Sequence, residues 1–333
     1  MNSRLKFVKL LFGYKMTQCL YVAAKLNIAD HLLSGPKTVD DLAALVNAKT
    51  EPLYRVLRCL AALEIINENE NKTFSLNEIS EFLFSNSANS LKDFVILCGD
   101  DLYKTTSELL YSVETGLPAF DHIYGMGFWD YLDKNPDKSV NFHDAMTKGS
   151  EELIKELIKI YDFSPYKNII DVGGGKGHVL CGILSAYPNA HGIVYDLLHT
   201  KNLALAYINE KKLSDRCDVI TGNFFDSVPA SGDMYLLKVV LHDWNDEQAI
   251  TILKNCRKAM SKQSKLIIIE KIIEEDQFKD IACLGDINML VTLNGKERNL
   301  IEFKNLLMSA NLHFERQIDL SNSFSIVEAS PMF

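Results

Sequence analysis

The amino-acid sequence predicts an α/β protein: a Rossmann-like doubly wound domain over residues 166–333, preceded by a winged-helix-like domain over residues 1–100 and a helical segment over 101–165. Three observations predict it. Beyond Tyr166, short apolar runs alternate with amphipathic stretches, the pattern of parallel strands joined by helices. The first of those runs ends in an acid and then a glycine-rich turn. Ahead of them a helix, a turn, a second helix and a hairpin follow one another, the outline of a winged helix.

From Leu5 to about Phe94 the apolar spacing is helical. The turn Ser34-Gly35-Pro36-Lys37 precedes a helix capped by Thr38, with Asp41 three residues on in the capping-box position. A further helix is predicted from Glu51 to Leu63. Ile65-Ile66-Asn67 and Thr73-Phe74-Ser75-Leu76, separated by Glu68-Asn69-Glu70-Asn71, read as the strands of a small hairpin. Winged helices often bind DNA, but between Asp30 and Glu70 four basic side chains face seven acidic ones, a surface that repels phosphates. A protein–protein role fits better. Leu10, Leu11, Phe12, Leu20, Tyr21 and Val22 are candidates for a dimer-forming surface, with plain core as the alternative.

Between Asp101 and Asp162 the helical pattern continues with Tyr103, Phe120, Tyr124, Phe128, Trp129, Tyr131, Phe142 and Met146. Such side chains can wall a flat apolar ligand. At helical spacing they are more often core.

The doubly wound part has candidate strands at Asn168 to Val172, Gly192 to Leu197, Asp218 to Thr221, Met234 to Val240 and Leu266 to Glu270. Helices fall between them, including Asp246 to Met260. The chain closes with a helix at Leu300 to Ser309 and extended runs at His313 to Leu320 and Phe324 to Glu328, the last in an edge hairpin. In such sheets ligands bind at the carboxyl ends of strands. Asp171, Asp196, Asn223, His242 and Glu270 all fall at or just past those ends.

The glycine turn narrows the ligand. Gly173, Gly175 and Gly177 form G-x-G-x-G, and residues without Cβ let a cofactor lie against the backbone. A dinucleotide fingerprint needs its third Gly at His178, and a Walker loop needs Gly at Ile170, so both phosphate-binding readings weaken. The next strand ends in Asp196, 19 residues beyond Gly177, placed to accept from ribose hydroxyls. An adenosyl ligand without phosphate suits this pair.

Composition excludes other classes. At 333 residues the chain is long enough for two cores, and 47% hydrophobic with 24% charged residues is ordinary for a globular protein. A net charge of −9 argues against a general nucleic-acid or anionic-membrane binder. The N-terminus lacks a signal-type apolar run and cleavage site, and no stretch approaches a bilayer span, so a cytoplasmic protein is expected. Seven cysteines without a C-x-x-C pair are expected to be reduced thiols, mostly buried.

The fourth strand leads into Lys238-Val239-Val240-Leu241-His242-Asp243-Trp244. An isolated His beside an Asp is usually a satisfied histidine, but this one follows a strand that should end beside the glycine loop. A carboxylate at the next strand end, Glu270, can hold one imidazole nitrogen and leave the other free as a base. With Asp171-Val172-Gly173-Gly174-Gly175-Lys176-Gly177, Gly222-Asn223-Phe224-Phe225, Leu236 to Trp244 and Gly295-Lys296-Glu297-Arg298 in place, nearly the whole chain resembles the metal-independent small-molecule O-methyltransferases that use S-adenosylmethionine, the caffeic acid, acetylserotonin and bacterial polyketide type. The Leu-His-Asp-Trp segment is its most diagnostic mark. The family's Phe-x-x-x-Met is matched by Phe142 and Met146.

The resemblance implies a homodimer whose N-terminal domain interlocks with its partner. It implies Gly173 and Gly175 at the cofactor, Asp196 on its ribose, Asn223 and Phe224 at its adenine, and Lys238 behind the base. His242 would be the general base, flanked by Glu270 and Glu297. Phe142, Met146, Asp243 and Asn294 would serve the acceptor, a small aromatic or polyketide-like molecule. No metal ligand set is expected: no His-x-x-x-His or clustered carboxylates stand out. Three departures stand out: Asn223 occupies a position where the family usually has Asp, Thr292-Leu293-Asn294-Gly295 replaces the common paired glycines, and Tyr103-Lys104 lies in a region where a Trp is frequent. The expected reaction is O-methylation of a phenolic or enolic hydroxyl. The alternatives are a relative that binds the cofactor but does not transfer methyl, and a cofactor-sensing winged-helix regulator.

Overall fold

The computed structural model describes residues 3–87, 89–148, 150–273, 281–321 and 324–332. The chain forms two compact units, one of residues 1–104 with 136–151 and one of 105–135 with 152–333, so the helical segment 101–165 is divided between them.

In the first unit, helices Gly13–Lys25, Ile28–Leu32, Val39–Leu45 and Thr50–Ala62 surround a core that includes Ala23, Ile28, Leu32, Leu42, Leu57 and Leu60. Thr38 caps Val39–Leu45 as expected: its Oγ1 accepts from the Asp41 amide at 3.2 Å. The small sheet has three strands, β1 (Lys37–Thr38), β2 (Asn67–Asn69) and β3 (Thr73–Ser75), in the order β1-β3-β2. The hairpin therefore starts two residues later than expected. Glu64 adopts φ 63° and the Ile65 amide donates to Leu60 O at 2.9 Å, so Glu64 and Ile65 close the preceding helix. Ile66, 2% exposed, is drawn into the core. Leu10, Leu11 and Phe12 are exposed, at 71%, 60% and 43%, and the helix Ser3–Leu11 buries nothing within this chain. Leu20, Tyr21 and Val22 are half-buried.

In the second unit, Phe120 packs edge-on against Phe128 and Tyr131, with centroids 5.2 and 5.3 Å apart, and at 4.4 Å against Tyr124. These aromatics hold the helices Ala119–Tyr124 and Phe128–Lys134 together, which is the core reading of their spacing.

The main sheet contains β4 (Asn168–Val172), β5 (His191–Asp196), β6 (Cys217–Thr221), β7 (Met234–Lys238), β8 (Lys265–Lys271), β9 (Leu312–Asp319) and β10 (Phe324–Pro331), ordered β6-β5-β4-β7-β8-β10-β9. β4 through β8 pair in parallel, while β10 runs antiparallel to both its neighbours and forms the expected edge hairpin with β9. Met234, Tyr235, Leu236 and Leu237 in β7 are all fully buried, because helices cover both faces. Leu236 packs with Val179 and Leu180 on one face, and Tyr235 and Leu237 pack with Ile252, Leu253 and Phe303 on the other. The chain winds outward from β4 to β6 and then returns to β7 beside β4. That reversal opens a crevice at the carboxyl ends of β4 and β7, where doubly wound sheets bind ligands.

No helix among the described residues is long and apolar enough to cross a membrane. All seven cysteines are free thiols. Contrary to the expectation that most are buried, only Cys181, Cys217 and Cys256 are; Cys19, Cys59, Cys98 and Cys283 are half-buried because they lie on helix flanks outside the sheet core.

Candidate active site

β4 delivers the glycine turn. Gly173, Gly175 and Gly177 have φ of 71°, 57° and 77°, the left-handed region that disfavours a side chain. Space forbids one as well: a Cβ on Gly173 would lie 2.8 Å from Val240, and one on Gly177 would lie 2.6 Å from Val194. The turn is held by Asp196 at the end of β5, whose Oδ2 accepts from the Gly175 amide at 2.7 Å while Oδ1 accepts from Leu197 at 2.6 Å. A carboxylate has about four acceptor positions, so two amides leave Asp196 able to accept from a ribose.

Asp171 is buried at the end of β4, and burial, reinforced by Asp196 and opposed by Lys238, pushes its carboxyl up to about 7. Burial likewise draws the Lys238 ammonium down to about 8, with Asp171 and Glu270 opposing.

β7 delivers the base candidate. Val239 takes φ 57°, costly for a β-branched residue, and turns the chain sharply into a short 3₁₀ turn, Leu241–Asp243. Strain of this kind persists where the surroundings enforce it. Glu270, 1% exposed at the end of β8, does so: its Oε1 accepts from the amides of Val240, Leu241 and His242 at 3.0, 2.7 and 3.3 Å. The expectation that Glu270 holds the imidazole is thereby corrected. Its Oε1 is taken by the turn's amides, and its Oε2 stands 3.9 Å from His242 Nδ1, beyond hydrogen-bond range, so Glu270 acts on the ring through its charge.

Glu297 does the holding, with Oε1 2.9 Å from His242 Nδ1. The segment carrying it runs alongside the turn, the Lys296 amide donating to His242 O at 2.9 Å. A Cβ on Gly295 would lie 1.9 Å from that carbonyl, which explains the glycine there. The helix Ile281–Thr292 supports the segment: Asp286 accepts from the Glu297 amide at 2.8 Å.

Asp243 Oδ1 lies 3.2 Å from His242 Nε2, so both ring nitrogens face carboxylates. Burial alone would lower the imidazole, but Asp243, Glu270 and Glu297 outweigh it and His242 is raised well above 6.5. Asp243 and Glu270 are also raised, burial being the first cause. One imidazole among three buried carboxylates leaves surplus negative charge, so the cluster as a whole holds a proton tightly.

The structure thus brings Gly173, Gly175, Asp196 and Lys238 to the strand ends around the crevice, and His242, Asp243, Glu270 and Glu297 into one cluster. Phe224 joins Phe225 and Trp244 in an edge-on aromatic group, with centroids 5.0 and 5.9 Å away. Asn223 is exposed and turns its Oδ1 to the Phe225 amide at 2.9 Å, so that oxygen already serves its own turn. Asn294 is exposed in a left-handed conformation, φ 58°. Phe142 and Met146 are half-buried on Pro136–Lys148 in the first unit. The absence of clustered ligands in the sequence does not carry into space, since His242, Glu270 and Glu297 present ligand-capable atoms within 4.8 Å of one another. Local spacing could not reveal that trio because its members come from three separate segments. Arg298, Asp286 and Gly295 were not singled out individually, although Gly295 and Arg298 stood in the diagnostic Gly-Lys-Glu-Arg run.

The loop fits an adenosyl cofactor: three positive-φ glycines leave bare backbone at the carboxyl end of β4, and the neighbouring carboxylate keeps acceptor capacity. Comparison with known proteins agrees. The O-methyltransferase domain family matches residues 107–313, and the O-methyltransferase dimerisation domain family matches residues 8–86. The phenazine O-methyltransferase PhzM of Lysobacter antibioticus is 37% identical over 98% of this chain and 95% of its own. The solved structure of LaPhzM superposes with a TM-score of 0.96 at 36% identity, covering 100% of both chains. An O-methyltransferase from neocarzinostatin biosynthesis, solved with S-adenosylmethionine and 2-hydroxy-5-methyl naphthoic acid, superposes at 0.83 with 30% identity over 95% of this chain and 96% of that one. With the glycine cradle, the base candidate and both domain matches together, the chain belongs to the S-adenosylmethionine-dependent O-methyltransferases of small molecules.

Proposed function

We propose that this enzyme methylates a phenolic or enolic hydroxyl of a small aromatic or polyketide-like metabolite, with His242 as general base, and that it works as a homodimer. The observation that carries the reading is the His242–Glu297 pair, 2.9 Å apart in a buried cluster at the strand ends. The cofactor supplies an electrophilic methyl on a sulfonium; the chain's residues handle the proton and the geometry.

The proton balance favours an acidic hydroxyl. A phenol near 10 and an ordinary imidazole near 6.5 differ by about 3.5 units, roughly 5 kcal/mol for full transfer. The carboxylates around His242 raise its proton affinity and so narrow that gap. An aliphatic alcohol lies far outside it. Nδ1 is committed to Glu297, which leaves Nε2 for the substrate. The acceptor hydroxyl would take the place that Asp243 Oδ1 occupies at Nε2 and give up its proton there as it attacks the methyl group. Asp243 is thus the residue that yields to substrate. The exposed Leu10, Leu11 and Phe12 in the dimerisation region support the homodimer, because apolar surface of this kind is normally covered.

Incubation with methyl-labelled cofactor and a panel of 1-hydroxyphenazine, hydroxynaphthoates and aliphatic alcohols tests the proposal. A mass gain of one methyl unit on the phenols alone is expected. Consumption of a panel compound without methyl gain would instead favour a non-methylating member of the family.

A further inference from the structure

The catalytic turn has a second support besides Glu270. Arg298 is 0% exposed, and its guanidinium spans the turn: Nη1 donates to Leu241 O at 2.8 Å and Nη2 to Trp244 O at 2.7 Å, the carbonyls on either side of His242 and Asp243. Its Nε donates to Asp246 Oδ1 at 3.0 Å, and Asp246 begins the helix Asp246–Ala259. Glu297, the residue before it in sequence, holds the imidazole itself.

We infer that Arg298 is a positioning residue for the base: its planar fork fixes the backbone on both sides of His242, so that the imidazole stays aligned with Glu297 and Nε2 stays aimed at the acceptor. The inference rests on the reading of His242 as base. The fork is what matters. A buried lysine would carry the same charge, but its single ammonium cannot place separated, coplanar donors on Leu241 O, Trp244 O and Asp246 together. The strained Val239 immediately before the turn explains the need, because a backbone held at φ 57° relaxes when its restraints weaken. Arg298 also pairs its charge with Asp246, Nη2 lying 2.9 Å from Oδ1. Arg298→Lys preserves that charge and so isolates the geometry.

The test compares wild type, Arg298→Lys and His242→Ala at full length with S-adenosylhomocysteine bound. Two readouts are used: ¹⁵N titration of the His242 ring, and the pH profile of methyl transfer to whichever phenol of the panel is methylated. In Arg298→Lys, binding of S-adenosylhomocysteine should stay within about threefold of wild type, while kcat falls roughly tenfold to a hundredfold, the scale of an ångström misplacement. The His242 titration should move down toward 6.5 as its contact with Glu297 loosens, and the acid limb of the profile should move with it. A residue that merely supports folding would scale the rate equally at every pH and leave both midpoints in place; that result overturns the inference. Asp246→Asn, which removes the outer anchor, should shift the midpoints in the same direction by less. If it and Arg298→Lys both titrate as wild type, the inference also fails. Undiminished turnover in His242→Ala would instead overturn the underlying assignment of the base.

Discussion

Replacing Glu297 by Gln keeps an acceptor at the end of the side chain and removes its charge, so it separates the charge from the contact. At 2.9 Å a full charge pair is worth about 6 kcal/mol at an effective dielectric of 20, an upper bound before desolvation is counted. Opposite charges at such range typically move a titrating group by about 1–3 units, or roughly 1.4–4 kcal/mol. Asp243 and Glu270 remain, so the lower half of that range applies. His242 in wild type is raised well above 6.5, and in the proposed role of base it must be neutral. Activity therefore falls as pH drops through the raised value. In Glu297→Gln the acid limb of kcat/KM should move about 1–2 units to lower pH, because the imidazole gives up its proton more readily. The plateau at high pH should fall about tenfold to a hundredfold, because the imidazolium formed on attack has lost its nearest counter-charge. A pH series from 5 to 9, with cofactor affinity measured alongside, reads both effects. An acid limb that stays in place would refute the argument that Glu297, together with Asp243 and Glu270, raises the proton affinity of His242.

Other expectations follow from single contacts. Gly295→Ala drives a Cβ to 1.9 Å from His242 O, so the segment must move by more than an ångström; a kcat loss of about a hundredfold and destabilisation of about 1–3 kcal/mol should appear in turnover assays and urea melts. Asp171 titrates at about 7 when folded and near 3.9 when unfolded, so the native state binds the extra proton between those values and wild-type stability declines as pH rises through that window. Asp171→Asn lacks that decline, and urea denaturation at pH 4.5 and pH 8 should show the variant gaining on wild type at the higher pH.

Much of this was legible in the sequence, for identifiable reasons. The central strands β4, β7 and β8 are apolar runs buried on both faces, so Asn168–Val172 was bounded correctly and Met234–Lys238 missed only at its end, where Val239 turns left-handed. The loop Gly173 to Gly177 was legible because backbone conformation and packing there both demand glycine. The small hairpin was displaced because Ile65 and Ile66 look like strand residues, yet one closes a helix and the other fills a core. The division of labour between Glu270 and Glu297 was hidden. Both are acids near His242, and only the fold shows that one carboxylate collects three amides while the other meets the ring. Arg298 stood in the diagnostic Gly295-Lys296-Glu297-Arg298 run, but its contacts to Leu241 O and Trp244 O came only with the fold, which buries it under the turn.

The most direct measurement is single-turnover methyl transfer by His242→Ala with saturating labelled cofactor and the phenol that wild type methylates. Cofactor affinity should be within a few-fold of wild type, since the cradle of Gly173, Gly175 and Asp196 is intact, while the transfer rate should drop by about 10²–10⁴, the usual contribution of a positioned base. A variant that binds the cofactor and transfers methyl at the wild-type rate would contradict the assignment of His242.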